Sequence, residues 1–97
     1  MSKGYWVTAY REVKDPAKLA AYAQIAAPAV AASGGKFLVR TAAEEVREQG
    51  LTQRTVVIEF PSYEEAVAAY ESDAYQQALK ALGDGADRDL RIVRGAE

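Results

Sequence analysis

Neither cysteine nor histidine occurs in this chain of 97 residues. The first absence excludes disulfides and thiolate metal sites, and the second removes the commonest metal ligand together with the commonest general base. No apolar run approaches the ~20 residues that a membrane span needs, so no membrane partner is expected. Charge of one sign is not concentrated either. Twelve basic residues stand against 14 acidic ones, for a net charge of −2, without the basic block that a phosphate backbone requires. No nucleic-acid partner is expected. The opening residues lead straight into strand-like sequence with no signal-peptide core, which points to a cytoplasmic protein.

The length fits one domain. A chain this short buries only about 60–65% of its unfolded surface, so the core is thin. With disulfides and thiolate metals excluded, oligomerisation is the remaining way to make up the shortfall.

Tyr5-Trp6-Val7-Thr8-Ala9-Tyr10 is aromatic and β-branched and reads as a first strand. Asp15-Pro16 supplies an N-cap and a first helical position, followed by the stripe Leu19, Tyr22, Ala23 and Ala26 at helical spacing. Pro28 predicts a kink or a restart, because proline removes the hydrogen bond to the Gln24 carbonyl. Gly34-Gly35 ends this stretch. Phe37–Val39 and Arg54–Phe60 read as the second and third strands. Between them, residues 42–49 favour helix by propensity, with Gly50 as a stop; a hairpin extension is the alternative.

Ser62-Tyr63-Glu64-Glu65 is a capping box, and Tyr63, Ala66, Val67 and Tyr70 line one helix face. Ser72 caps a further helical stretch with Tyr75, Ala78, Leu79 and Leu82 as its stripe. Gly83-Asp84-Gly85 is a loop, and Leu90–Val93 is the last strand. The order matches the split βαβ arrangement, an α+β ferredoxin-like βαββαβ sandwich with a four-stranded antiparallel sheet covered by helices on one face.

The other face should then alternate polar residues against the apolar core. It does not. Tyr5, Val7 and Ala9 oppose Trp6, Thr8 and Tyr10; Val56, Ile58 and Phe60 oppose Thr55, Val57 and Glu59; Phe37 and Val39 oppose Leu38; Leu90 and Ile92 oppose Val93. A sheet apolar on both faces predicts a homodimer packed sheet on sheet, burying about 800 Å² per partner.

Gly4-Tyr5-Trp6-Val7, Asp15-Pro16, Tyr22, Gly34-Gly35-Lys36-Phe37-Leu38-Val39-Arg40, Val57-Ile58-Glu59-Phe60-Pro61-Ser62, Ala66, Tyr70 and Ser72-Asp73-Ala74-Tyr75 together resemble the domain-of-unknown-function family 1330 over nearly the whole chain. The resemblance implies a dimeric α+β barrel, and a hairpin extension over 42–53. That architecture also carries antibiotic-biosynthesis-type monooxygenases, muconolactone isomerases and dye-decolourising peroxidases, an analogy of fold that transfers no function. The chain departs from the family pattern at Thr41-Ala42, Ala74 and Leu82, where the family has Gly-Gly, glutamate and arginine.

No cofactor is expected. There is no Gly-x-Gly-x-x-Gly or P-loop pattern, and only tyrosine is available as an axial haem ligand. Asp84–Asp89 resembles part of a calcium loop but runs into a strand before a bidentate glutamate could follow, so no metal is expected there. Lys3–Val7 has the outline of an RNA-recognition signature, with Trp6 and Val7 of the wrong types and on the wrong strand.

Arg40, Arg54 and Glu59 lie within or beside apolar strands, where a charge is costly unless paired or solvated. An arginine–glutamate pair bracing the sheet is the plainer reading. The functional reading places Tyr5, Tyr22, Arg40, Arg54, Glu59 and Tyr70 around a ligand in a cleft between helices and sheet. Glu59 and Arg40 are then catalytic candidates, with a buried Glu59 of raised pKa taking a proton and an arginine holding the enolate. Two functions follow: a dimer that binds a small organic molecule, or a cofactor-independent enzyme (proton transfer, isomerase or monooxygenase-like) acting on a small oxygen-bearing substrate.

Overall fold

In the computed structural model, which describes residues 2–96, strand β1 (Gly4–Val13) is followed by α1 (Pro16–Ala32), β2 (Lys36–Ala42), β3 (Arg54–Phe60), α2 (Tyr63–Glu71), α3 (Asp73–Leu82) and β4 (Ala86–Arg94). The four strands form one antiparallel sheet in the order β2-β3-β1-β4. The ferredoxin-like α+β expectation holds, with the second helical region divided into α2 and α3. Among the described residues no helix is long and apolar enough to cross a membrane.

The helix boundaries follow local chemistry. Asp15 accepts from the Ala17 and Lys18 amides at 3.0 and 3.3 Å. Ser62 Oγ accepts from the Glu65 amide and donates to the Glu65 carboxylate, both at 3.1 Å. Ser72 serves two helices at once, donating to the Ala69 carbonyl that ends α2 and accepting from the Tyr75 amide that starts α3. Gly34 ends the first helix in the left-handed region, with φ 85°, a conformation that disfavours any residue with a Cβ.

Two expectations are corrected. The helix does not restart at Pro28: α1 runs through it. Pro28 and Gln24 are both exposed, so solvent can serve the carbonyl that lacks its partner. The helix favoured over 42–49 does not form either. The β2 strand continues to Ala42, and residues 43–53 make an irregular hairpin loop, closed by the Ala43 amide on the Gln53 carbonyl at 3.3 Å. Residues 42–49 carry Glu44, Glu45 and Glu48 with only Val46 as a large apolar residue. Without an apolar stripe to bury, propensity alone does not sustain so short a helix.

The core gathers on Trp6. Its ring meets Tyr75, Phe60 and Tyr70 at centroid distances of 4.8, 5.1 and 5.8 Å, and its indole N–H donates to the Ala66 carbonyl at 2.8 Å. Gly4 lets β1 approach the start of α2. A Cβ there would lie 2.6 Å from the Ser62 carbonyl oxygen and 2.7 Å from Tyr63 Cα, both backbone atoms that cannot swing away.

A bulge at Leu38 shifts the β2 register, pairing Phe37 with Ile58 but Val39 with Val57 and Arg40 with Val56. Plain alternation puts Phe37 with Val39. The extra residue instead turns Phe37 and Arg40 toward the helices and Val39 to the other side. On that open side Val39, Val57 and Val7 form one cross-strand row, and Val7, Leu38, Val39 and Val93 are all exposed. The adjoining row holds Glu59, whose carboxylate accepts from Tyr5 OH at 2.9 Å and from Lys3 Nζ at 3.4 Å. The Tyr5 hydrogen bond is the main cause holding Glu59 below its ordinary pKa. Tyr5 is raised by the same bond.

Gly4→Ala is expected to destabilise the fold by about 1–3 kcal/mol, read as a lower urea midpoint at unchanged m-value. A carboxylate whose folded pKa lies below its unfolded value stabilises the fold above that unfolded value, about 4.3 for glutamate. The contribution disappears as pH falls through the folded pKa. Thermal unfolding from pH 7 to pH 2.5 should therefore show a smaller acid-side loss in Glu59→Gln than in the wild type; equal slopes would contradict this pairing.

Candidate functional site

Helix α1 leans mainly on α3 rather than on the sheet, and beside Leu19, Tyr22 and Val30 it presents four alanines to the strands. Ala20, Ala23, Ala26 and Ala27 leave a space of about 270 Å³ between α1 and the strands, where larger side chains would have closed it. Leu19, Val30, Trp6, Ile58, Val56 and Leu90 give the space apolar walls.

One end is polar. Arg88, from β4, donates to Tyr22 OH at 3.0 Å and to Tyr75 OH at 3.3 Å. The two phenol oxygens are 2.8 Å apart and share a hydrogen bond in which either can donate. The Arg88 guanidinium also lies over the Tyr22 ring at 4.9 Å and the Tyr10 ring at 5.7 Å, where ring quadrupoles favour a cation. Arg40 lies over the Phe37 ring at 4.4 Å, and Arg54 lines the same space from the start of β3. Among the described residues no aspartate or glutamate lines it.

Burial is the main cause raising the Tyr22 pKa, with Tyr75 adding to it and Arg88 opposing. Burial likewise raises Tyr10. Both phenols stay protonated at neutral pH. Burial works against the charge of Arg88, but its tyrosine neighbours outweigh that and the net shift is upward, so the guanidinium stays charged. When Tyr75 is the donor in the mutual bond, the Tyr22 proton remains available to a guest.

Such a site offers cations and hydrogen-bond donors but no carboxylate, imidazole or thiolate. It can hold and stabilise an oxyanion. Its donor set does not suit a metal ion, and among the described residues no group of three metal-ligating side chains comes together anywhere.

The structure divides the residues singled out from the sequence. Tyr22, Arg40 and Arg54 line the space. Tyr5 and Glu59 do not; they face the opposite side of the sheet, because β1 and β3 alternate strictly and Trp6 and Ile58 take the helix side. The buried, proton-accepting Glu59 is thereby corrected: its pKa is lowered, and its partners are Tyr5 and Lys3 rather than an arginine. Tyr70 packs on Trp6 and Tyr75 and does not reach the space.

Arg88 and Tyr10 line the space and were missed by sequence reasoning, as was the role of Tyr75, which does not line it but bonds to Arg88 and Tyr22. Arg88 falls within the Asp84–Asp89 run, placed by sequence ahead of a last strand starting at Leu90, whereas β4 begins at Ala86. The signal for it was the two-residue spacing of Arg88, Leu90 and Ile92, which continues the core-facing side of the last strand two residues earlier. The carboxylates of the same run are engaged elsewhere, Asp84 by Lys18, Asp87 by Lys14, and Asp89 by Arg11 and Arg91.

The fold has solved counterparts. A protein of unknown function from Rhodopseudomonas palustris superposes with a TM-score of 0.74 at 16% identity, covering 99% of this chain and 84% of that one. SnoaB, a cofactor-independent oxygenase from Streptomyces nogalater, gives 0.66 at 15% identity, covering 100% and 96%. A nipsnap family protein of unknown function from Agrobacterium tumefaciens gives 0.57 at 16% identity, covering 98% and 88%. At these identities the likeness is one of fold alone. Among curated proteins none matches the chain in sequence. The profile of the family described as Domain of unknown function (DUF1330) matches residues 3–96, and the chain accordingly belongs to that family.

Proposed function

We propose that this protein binds a small organic molecule in the space between α1 and the sheet, and that it does so as a homodimer joined through the open sheet face. The observation that carries the binding reading is the 270 Å³ space itself: apolar walls ending in a few convergent polar groups are the usual form of a small-molecule site. The dimer reading draws support from the valine row of the open face and its exposed neighbours. An apolar patch of that kind marks an interface more often than a free surface. A cytoplasmic location belongs to the same reading, since the chain has no cysteine for an oxidising compartment to pair.

Cofactor-independent catalysis is the second reading. The similarity in fold to SnoaB, a cofactor-independent oxygenase, favours it, as does a donor cluster able to stabilise an oxyanion. The lack of a base among the lining residues places it second. Turnover would be read as oxygen uptake or product formation from a bound ligand without added cofactor.

Neutral p-cresol, titrated at pH 7 and followed by two-dimensional NMR, is expected to shift the amides of Leu19, Ala23, Ala26 and Phe37. Ala26→Leu, which fills the space, should weaken that binding at least tenfold. Shifts confined to other surfaces would sink the binding reading. Sedimentation equilibrium is expected to give twice the 10.5 kDa chain mass at micromolar concentration, and Val57→Lys, which puts a charge at the middle of the valine row, should return the mass to that of one chain.

A further inference from the structure

We propose that the molecule taken up between α1 and the sheet is a small organic anion, an apolar body of about one ring bearing a carboxylate, with the carboxylate seated on Arg88. This rests on the reading of that space as the binding site and adds the ligand's charge and class.

Charge pairing across the molecule carries the inference. Lys3, Arg11, Lys14, Lys18, Arg47, Arg91 and Arg94 each have a carboxylate within 4 Å. Five bases have none among the described residues: Lys36 and Lys80, which are exposed and lie outside the space, and Arg40, Arg54 and Arg88, which all line it. In a chain with more acids than bases, three of the five unpaired cations are thus gathered in one place. Arg88 is half-buried, where an unpaired cation is costlier than in open water, and the tyrosine oxygens and rings around it compensate its charge only in part. The missing partner is an anion that the chain itself does not supply.

The geometry fits a carboxylate. A guanidinium has five N–H donors. Two bonds from Arg88 go to Tyr22 and Tyr75, and even with Tyr10 beside it the guanidinium keeps donors to spare. Arginine's planar fork suits the two oxygens of a carboxylate. The two tyrosines fix the fork in place before any ligand arrives, which lowers the cost of ordering it on binding. When Tyr75 donates to Tyr22, the Tyr22 proton is left to reach the same oxyanion.

Size limits the rest of the ligand. A volume of 270 Å³ equals about nine waters at ~30 Å³ each, room for one ring and a short side chain. The walls opposite Arg88, formed by Leu19, Ala23, Ala26, Val30 and Phe37, suit an apolar body. A sugar phosphate would leave many hydroxyls against those walls without partners.

The test uses the full-length protein and calorimetric titration at pH 7 with benzoate, phenylacetate and 3-phenylpropionate, each against its neutral amide. At least one acid is expected to bind tenfold or more tightly than its amide, with the preference shrinking as salt is raised from 50 to 500 mM. Arg88→Gln should reduce the preference to within about twofold, Arg88→Lys should keep part of it, and Arg54→Gln should lower acid affinity about threefold. Circular dichroism identifies any variant that fails to fold. In that event the acid–amide comparison on the wild type decides alone. Amides binding as well as acids, or a preference that survives Arg88→Gln, would overturn the proposal. So would binding of chloride or phosphate alone. If p-cresol binds in the space and no acid does, the anion inference fails while the binding reading stands. If none of these probes binds, both fail.

Discussion

Trp6 sits where β1, α2 and α3 meet, and the arrangement of the helical layer follows from that contact. Its ring is enclosed by Phe60, Tyr70 and Tyr75, and its one polar atom is satisfied by the Ala66 carbonyl. So large a side chain, almost wholly buried, contributes several kcal/mol of apolar burial and draws α2 and α3 down onto β1. The small residues Ala66, Ala69 and Ala78, all buried, are what permit the approach. Helix α1 has no comparable anchor on the sheet. It rests against α3, and the gap between it and the strands becomes the candidate site.

The division of charge follows the same geometry. On the open face and around the sheet's edges, acids and bases alternate across strands and meet, as Glu59 does with Lys3 and Asp89 with Arg11 and Arg91. Such exposed pairs add little stability individually, and among the described residues no carboxylate, paired or not, lines the space under α1. Under α1, arginine charges are held by aromatic faces and phenol oxygens instead. These interactions tolerate a cation without neutralising it, so the site keeps its appetite for negative charge. A scaffold shared with an oxygenase therefore says less about this chain's chemistry than do the residues set into the scaffold.

Much of the fold was legible. Asp15, Ser62 and Ser72 announce three helix starts through side-chain oxygens that reach amides two or three residues away. Strict alternation in β1 and β3 assigns Trp6, Thr8 and Tyr10 to one face and Tyr5, Val7 and Ala9 to the other. The motifs from Gly4 to Tyr75 carry the family. Half of the candidate site was legible too: Tyr22, Arg40 and Arg54 stood out as polar residues within or beside apolar pattern. The grouping of those three with Glu59 did not hold, because alternation in β3 separates Glu59 from the helix side by one residue.

What the sequence by itself determined, then, is whatever depends on neighbours a few positions apart: caps, strand alternation, the order of elements, the absence of sulfur and imidazole chemistry. Tertiary structure decided the rest. Only the pairing of β2 with β3 shows that Leu38 is a bulge and that Arg40 turns inward with Phe37. Only the meeting of β4 with α1 and α3 takes Arg88 out of an acidic run and sets it between Tyr22 and Tyr75, which lie 66 and 13 residues away. A side chain's local pattern constrains which way it can point, but its charge environment is set by what the folded chain brings against it from a distance.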